Sequence, residues 1–207
     1  MTETTERARR GPRGEYAKTG AKREAILAAA LGVFAESGYR AGSLREIATR
    51  VGMSEAGLLH HFPNKEALLA AVLDRRDGDD LSRVHIIVDA EDGAETLRGL
   101  VELAAHNASV PGVVELYCTL SAEATSPDHP AHGYFLGRYD WARGMVGRAF
   151  ERIARDGRLR EGADPARAAI ATLALMDGLQ VQWLLNRDVV DMSEALREYF
   201  AGLVADF

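Results

Sequence analysis

Apolar residues recur along the chain at intervals of three and four and nowhere alternate over any length, so the pattern predicts an all-α protein. Ile26, Ala30, Val33 and Phe34 share one face of a first helix, closed by Gly38. Leu44, Ile47, Ala48 and Val51 form the stripe of a short helix. Ser43 opens it, with Glu46 completing a capping box, and Gly52 ends it where a positive φ is cheap. Ser54 caps a second short helix reaching His61, and Pro63 stops it. Asn64 caps a longer helix whose stripe is Leu68, Leu69, Val72 and Leu73. Further helices are predicted near 94–108, 111–124, 131–156, 164–186 and 192–206, while 77–92 carries no clear period. Pro111, Pro127, Pro130 and Pro165 mark starts or breaks, with Asp164 capping a helix that begins at Pro165.

Composition adds three points. With 207 residues and 47% hydrophobic content, the chain can fill a sizeable core without staples. Its one cysteine, Cys118, excludes an internal disulfide and fits a reducing compartment. Within "VVELYCTL" it reads as a small buried apolar residue rather than a reactive thiol. The N-terminal stretch has no apolar run of a secretory signal, and "AAIATLALMDGLQVQWLL" is interrupted by Asp177, Gln180 and Gln182. A soluble cytoplasmic protein with no membrane partner is expected. The net charge is -6, but it is unevenly spread. Residues 1–65 hold 11 basic against 7 acidic side chains, and the remainder 14 against 24. A basic head on an acidic body points to a polyanionic partner for the head.

The head carries the most specific signal. Two short helices joined by a glycine turn form a helix-turn-helix, whose second helix fits the major groove, about 12 Å wide. In "SEAGLLHHFPNK" the core face is Leu58, Leu59 and Phe62, leaving Ser54, Glu55, Ala56, Gly57, His60 and His61 outward. Adjacent histidines point about 100° apart on a helix, which makes them poor ligands for one metal. They read as DNA-facing groups or as a solvated pair.

"SLREIATRVGMSEAGLLHHFPNKEALL", preceded by "GVFAESGY", resembles the signature of the tetracycline-repressor (TetR) family of transcriptional regulators over residues 20–76. The resemblance implies a homodimer that binds a palindromic operator on double-stranded DNA and releases it when a small molecule occupies the C-terminal domain. It implies an N-terminal three-helix DNA-binding domain and a larger helical ligand-binding and dimerisation domain: a basic arm at 1–18, a reading head at 19–65 and an effector body at 66–207. By position it places Lys65 on a phosphate, and His60 and His61 at the groove or its phosphates. The family often has an aromatic where Leu59 stands, so this chain departs from the backbone or thymine contact implied there, and thymine-methyl packing by Leu59 stays open. Ser43, Arg45 and Arg50 stand on the bracing helix, where phosphate contact and a solvated face both remain open. Arg9, Arg10 and Arg13 read either as a minor-groove arm or as an unstructured tail.

In the body, the helix over 164–186 is apolar on almost every side, so more than one face must be covered. Leu196, Tyr199, Phe200, Leu203, Val204 and Phe207 stripe the last helix. The two helices and their symmetry mates read as a four-helix dimer interface, with intrachain core as the alternative. His106, Tyr117, Leu120, Trp141, Met145, Met176, Gln180 and Trp183 are the candidate ligand-lining residues, together with Glu123 and Tyr139; Asp177 and Gln180 interrupt an apolar helix and are the most telling. "SPDHPAH" holds Asp128, His129 and His132 at a spacing a metal can use, although its prolines place it in a loop. No cofactor is expected. An all-helical enzyme finds no nucleophile–base spacing, no phosphate loop and no paired Glu-x-x-His to stand on. A helical interaction module that no longer binds DNA is the remaining alternative.

Overall fold

The computed structural model describes residues 12–83 and 90–207. Among these the elements are α1 (Pro12–Ala41), α2 (Leu44–Arg50), α3 (Glu55–His61), α4 (Lys65–Arg83), α5 (Gly93–Ser109), α6 (Pro111–Glu123), α7 (His132–Arg155), α8 (Pro165–Leu185) and α9 (Met192–Leu203). Arg7, Arg9 and Arg10 lie outside the described residues, as does the Arg13 side chain. Residues 12–18, assigned to the arm from sequence, belong to α1.

The caps explain most boundaries. Ser43, Ser54, Asp92, Asp164 and Asp191 each accept a backbone N–H of the helix they open. Asn64 does the same for α4, its Oδ1 2.7 Å from the Ala67 nitrogen. One capping detail differs from expectation. Glu46 does not close a reciprocal box; its carboxylate accepts from Arg50 at 2.8 Å. Gly38 differs too. It does not end α1 but kinks it, at φ 74° and ψ 174°, and Tyr39–Ala41 continue as a further turn.

Two cores organise the chain. The first joins α1–α4 to α6 and the start of α7: Ile26, Phe34, Ile47, Leu58, Leu69 and Leu73 meet Leu116, Leu120 and Phe135. The second joins α5, the later turns of α7, α8 and α9 through Leu97, Val146, Phe150, Leu196 and Phe200. Residue 65 therefore opens a helix whose Leu68, Leu69, Val72 and Leu73 pack with α1. The chain end folds back past α9: the Arg160 nitrogen donates to the Leu203 carbonyl and Ala205 to the Arg158 carbonyl.

α8 has the length and apolarity of a membrane span. It is packed as a core helix: Thr172, Leu179, Gln180 and Trp183 are buried within the body, and Asp177 accepts a hydrogen bond from Tyr139 of α7. Leu175, Met176 and Leu184 are half-buried against the same core, and Ile170, Val181 and Leu185 are exposed. The apolar stripe of α9 is mostly intrachain core, with Leu196, Phe200 and Val204 buried.

Candidate functional site

α3 is held from below. α2 ends at Val51, and Gly52 takes φ 67°, letting the Met53 nitrogen return to the Ala48 carbonyl at 3.0 Å. The turn that follows delivers Ser54 as the cap of α3, with its Oγ 3.1 Å from the Gly57 nitrogen. Leu58 and Phe62 point inward, and Arg23 lies over the Phe62 ring at 4.9 Å. Ser54, Glu55, Ala56 and His60 are exposed; Gly57 and His61 are partly covered. Leu59, counted from sequence with the core face, is 39% exposed and shares the outer face instead. Leu58 and Phe62, four apart, already fill the inner stripe of this two-turn helix.

The surrounding basic groups differ in freedom. Ser43 and Arg45 are exposed beside α3. Arg50 is clamped by Glu36 at 2.6 Å and Glu46 at 2.8 Å, so its charge is spent within the protein. Lys65 Nζ lies 4.4 Å from the Tyr39 ring centroid and 3.3 Å from the Arg40 carbonyl. Partial burial holds its ammonium below the usual lysine range.

Tyr39 is the junction between head and body. Its backbone N–H, left open by the Gly38 kink, donates to Glu123 Oε2 at the end of α6 over 2.8 Å. Its ring stacks edge-on against His129 and under Lys65. Burial, with a hydrogen bond to Glu66 of α4, pushes its phenol up to about 12. Sequence reasoning did not find Tyr39; the "SGY" before the helix-turn-helix was the available signal.

"SPDHPAH" folds around this junction. His129 is buried, accepts from the Ala131 nitrogen through Nδ1, and sets Nε2 3.4 Å from Glu123 Oε2. His132 Nδ1 lies 2.7 Å from the Ala124 carbonyl, and Asp128 accepts from the Ser126 hydroxyl. No group of three metal-ligating side chains assembles among the described residues.

Beyond the junction, α4, α5, α6, α7 and α8 enclose a cavity of about 70 Å³. Tyr117, Trp141, Met145, Met176 and Gln180 line it, as does Tyr139. Three other sequence candidates do not. Leu120 is fully buried in the first core, where α6 packs against α1. Trp183 is buried in the second core under the Arg187 guanidinium. His106 lies next to the lining Asn107 and so faces another direction on α5. Glu123, as described, belongs to the Tyr39 junction.

Residues missed from sequence complete the lining: Arg76, Leu100, Leu103, Asn107, Arg138 and Leu173. Asp77 accepts from Arg138 at 2.8 Å, from Tyr134 at 2.8 Å and from Arg76 at 3.4 Å, forming a charged end. Arg76 also stacks over the Tyr117 ring at 4.5 Å. On the α8 side, the Tyr139 hydroxyl donates to Asp177 Oδ2 at 2.7 Å. Burial raises the Asp177 carboxyl above its usual range, opposed by that bond. Cys118 is half-buried with its sulfur 3.8 Å from Gln180 Oε1, and burial pushes its thiol up to about 11.

Comparison with known proteins agrees with this architecture. Residues 26–72 match the profile of bacterial regulatory proteins of the tetR family, and residues 94–205, more than half of the chain, match the C-terminal domain of BetI-type transcriptional repressors. The transcriptional regulator RutR of Escherichia coli is 49% identical over 53 residues, a quarter of its length and 26% of this chain. The transcriptional regulator TtgR of Pseudomonas putida is 28% identical over 179 residues, covering 82% of this chain and 83% of TtgR. Among solved structures, the SmeT–triclosan complex superposes with a TM-score of 0.74 at 25% identity, over 90% of this chain and 93% of that one. The chain belongs to the TetR family of bacterial regulatory proteins.

Proposed function

We propose that the protein is a cytoplasmic, homodimeric repressor that binds a palindromic operator through α3 and releases it when a small molecule enters the α4–α8 cavity. Ser54, Glu55, Ala56, Gly57, Leu59 and His60 would meet base edges, with Ser43, Arg45, His61 and Lys65 on the flanking backbone. Small residues at 56 and 57 let the helix axis approach the groove floor.

The observation that carries this reading is the position of Tyr39. It is touched by Lys65 and Glu66 of α4 and by Glu123 of α6. The same two helices reach the cavity through Arg76 and Tyr117. Each helix runs from the residue that leads into α2 to a side chain that lines the ligand space. A ligand that parts α4 from α6 shifts the reading head, by no more than its differential affinity for the two arrangements allows.

A single head meets one half-site, whereas a palindrome needs two reading helices roughly 34 Å apart. Ile170, Ala174, Val181 and Leu185 form an exposed stripe on α8 at spacings of four, seven and four, suited to a symmetric partner. The SmeT complex with triclosan supports an effector-binding body. Binding of the purified protein to the DNA upstream of its own gene, measured by anisotropy across a salt series, tests the reading. A steep salt slope, sequence preference and dimeric mass are expected. A strict monomer that prefers no sequence at low salt would refute it.

A further inference from the structure

The cavity has two chemically different ends. At one, the guanidinium groups of Arg76 and Arg138 face the Asp77 carboxylate. Elsewhere in the lining, three oxygen acceptors come from α5 and α8. Asp177 and Gln180 stand three residues apart on one face of α8. Asn107 of α5 lines the same space. It is only 3% exposed, yet its Oδ1 has no hydrogen-bond partner. Gln180, 8% exposed, has its Oε1 served by a thiol alone. Asp177 meets the Tyr139 hydroxyl and no basic side chain among the ion pairs of the described residues. A buried acceptor left unmatched costs about 1–3 kcal/mol. Such a group in a native cavity calls for a partner, and a ligand donor can be that partner.

We propose that the acceptor end, Asp177 with Asn107 and Gln180, selects an effector that is an apolar molecule bearing a protonated amine. The inference rests on the cavity being the effector site. The ammonium donates to all three oxygens and places its charge beside Asp177, a cavity carboxylate with no basic partner among the ion pairs of the described residues. Leu100, Leu103, Met145 and Leu173 take the apolar part, and the Tyr139 ring stands beside Asp177, to which its hydroxyl donates. At about 70 Å³ the space holds only a few waters, so a ligand must enlarge it. A second void of about 10 Å³ lies behind Asn107, Met176 and Gln180, which line both spaces. Met176, with three rotatable bonds, can swing aside and merge them.

The test uses the full-length protein and three probes of similar size: phenethylamine, phenethyl alcohol and phenylpropionate. Binding is read by quenching of tryptophan fluorescence, with Trp141→Phe assigning the signal to the cavity. The amine is expected to bind at least tenfold more tightly than the alcohol, and the carboxylate most weakly. Asp177→Asn should bring the amine-to-alcohol ratio close to one, an internal comparison that does not depend on absolute stability. Asn107→Leu should weaken the amine severalfold. Preference for the carboxylate, a ratio that survives Asp177→Asn, or no binding of any probe at millimolar concentration overturns the proposal. Operator release is scored in parallel. An amine that binds with the expected ratio but leaves DNA bound refutes the repressor reading and keeps the ligand class. A carboxylate that releases DNA does the reverse.

Discussion

Gly38→Ala probes the joint between reading head and effector body. Gly38 sits at φ 74° and ψ 174°, a region that residues with a Cβ scarcely populate, and strain there costs about 1–3 kcal/mol. The added methyl would overlap Glu123 Oε1 and lie 3.0 Å from its Cδ. The carboxylate must then leave, and the Tyr39 N–H loses an acceptor now at 2.8 Å. That bond is partly exposed and screened by solvent, so its loss is worth about 1 kcal/mol, less than a buried bond to a charged acceptor. Reduced freedom of the unfolded chain returns about 0.5 kcal/mol. The net expected loss is about 1.5–3.5 kcal/mol. Glu123→Ala alone should cost about 1 kcal/mol by the same bond. Both changes remove one interaction, so the double variant should fall short of the sum by about 1 kcal/mol. Urea unfolding followed by circular dichroism, at one fixed protein concentration because association contributes to stability, gives all three values. A Gly38→Ala loss below about 1 kcal/mol, or strict additivity in the double variant, would refute the clash argument.

Four further outcomes follow from the same geometry. Lys65→Ala should weaken DNA binding across all sequences and lower the salt slope by about one, while Lys65→Arg restores most of both; an unchanged slope removes Lys65 from the phosphate contacts. Leu185, 83% exposed, contributes little to the monomer, so Leu185→Glu should leave helicity intact yet dissociate the dimer in sedimentation; a retained dimer mass places the interface elsewhere. Trp183→Ala should cost about 3–5 kcal/mol through the cavity it leaves in the second core, with little change in amine affinity beyond that loss. Asp177 has a raised carboxyl pKa, so folding favours its protonated form and its contribution to stability is lost as pH rises through the folded value. Asp177→Asn should therefore stabilise the protein at neutral pH, by a margin that shrinks as pH falls toward the ordinary carboxyl range; a margin independent of pH contradicts this.

The head was legible because its signals are local. Ser43, Gly52, Ser54 and Asn64 act on backbone groups within three residues of themselves, and the structure shows each at a helix end or turn. Where a partner lay farther off, the reading faltered. Glu46 was placed in a capping box by spacing, yet Arg50 claims its carboxylate. Leu59 was assigned inward by its hydrophobicity, although α3 has room for only Leu58 and Phe62 on its inner face. Gly38 read as a helix stop because the sequence does not reveal that Glu123, 85 residues away, stands ready to cap the turn that follows it.

The cavity depends on the opposite kind of information. Tyr117 and Leu120 are one turn apart on α6 and both suit a pocket wall, but α1 covers Leu120 while α4 and α8 leave space at Tyr117. Which side of a doubly covered helix faces a void is set by its neighbours' volumes, and no period along one strand of sequence records that. The polar exceptions did carry a trace. Asp177 and Gln180 break an apolar helix, and both line the cavity, because a buried helix bears a polar group where something other than hydrocarbon meets it. Arg76 and Asn107 escaped notice since each lies in a mixed segment, where a polar residue is unremarkable. Their significance comes from burial at 6% and 3% exposure, a property of the assembled bundle alone. The two halves of the molecule differ in the same way: the helix-turn-helix follows from residues that satisfy their own neighbours, and the cavity from residues whose neighbours leave them something to satisfy.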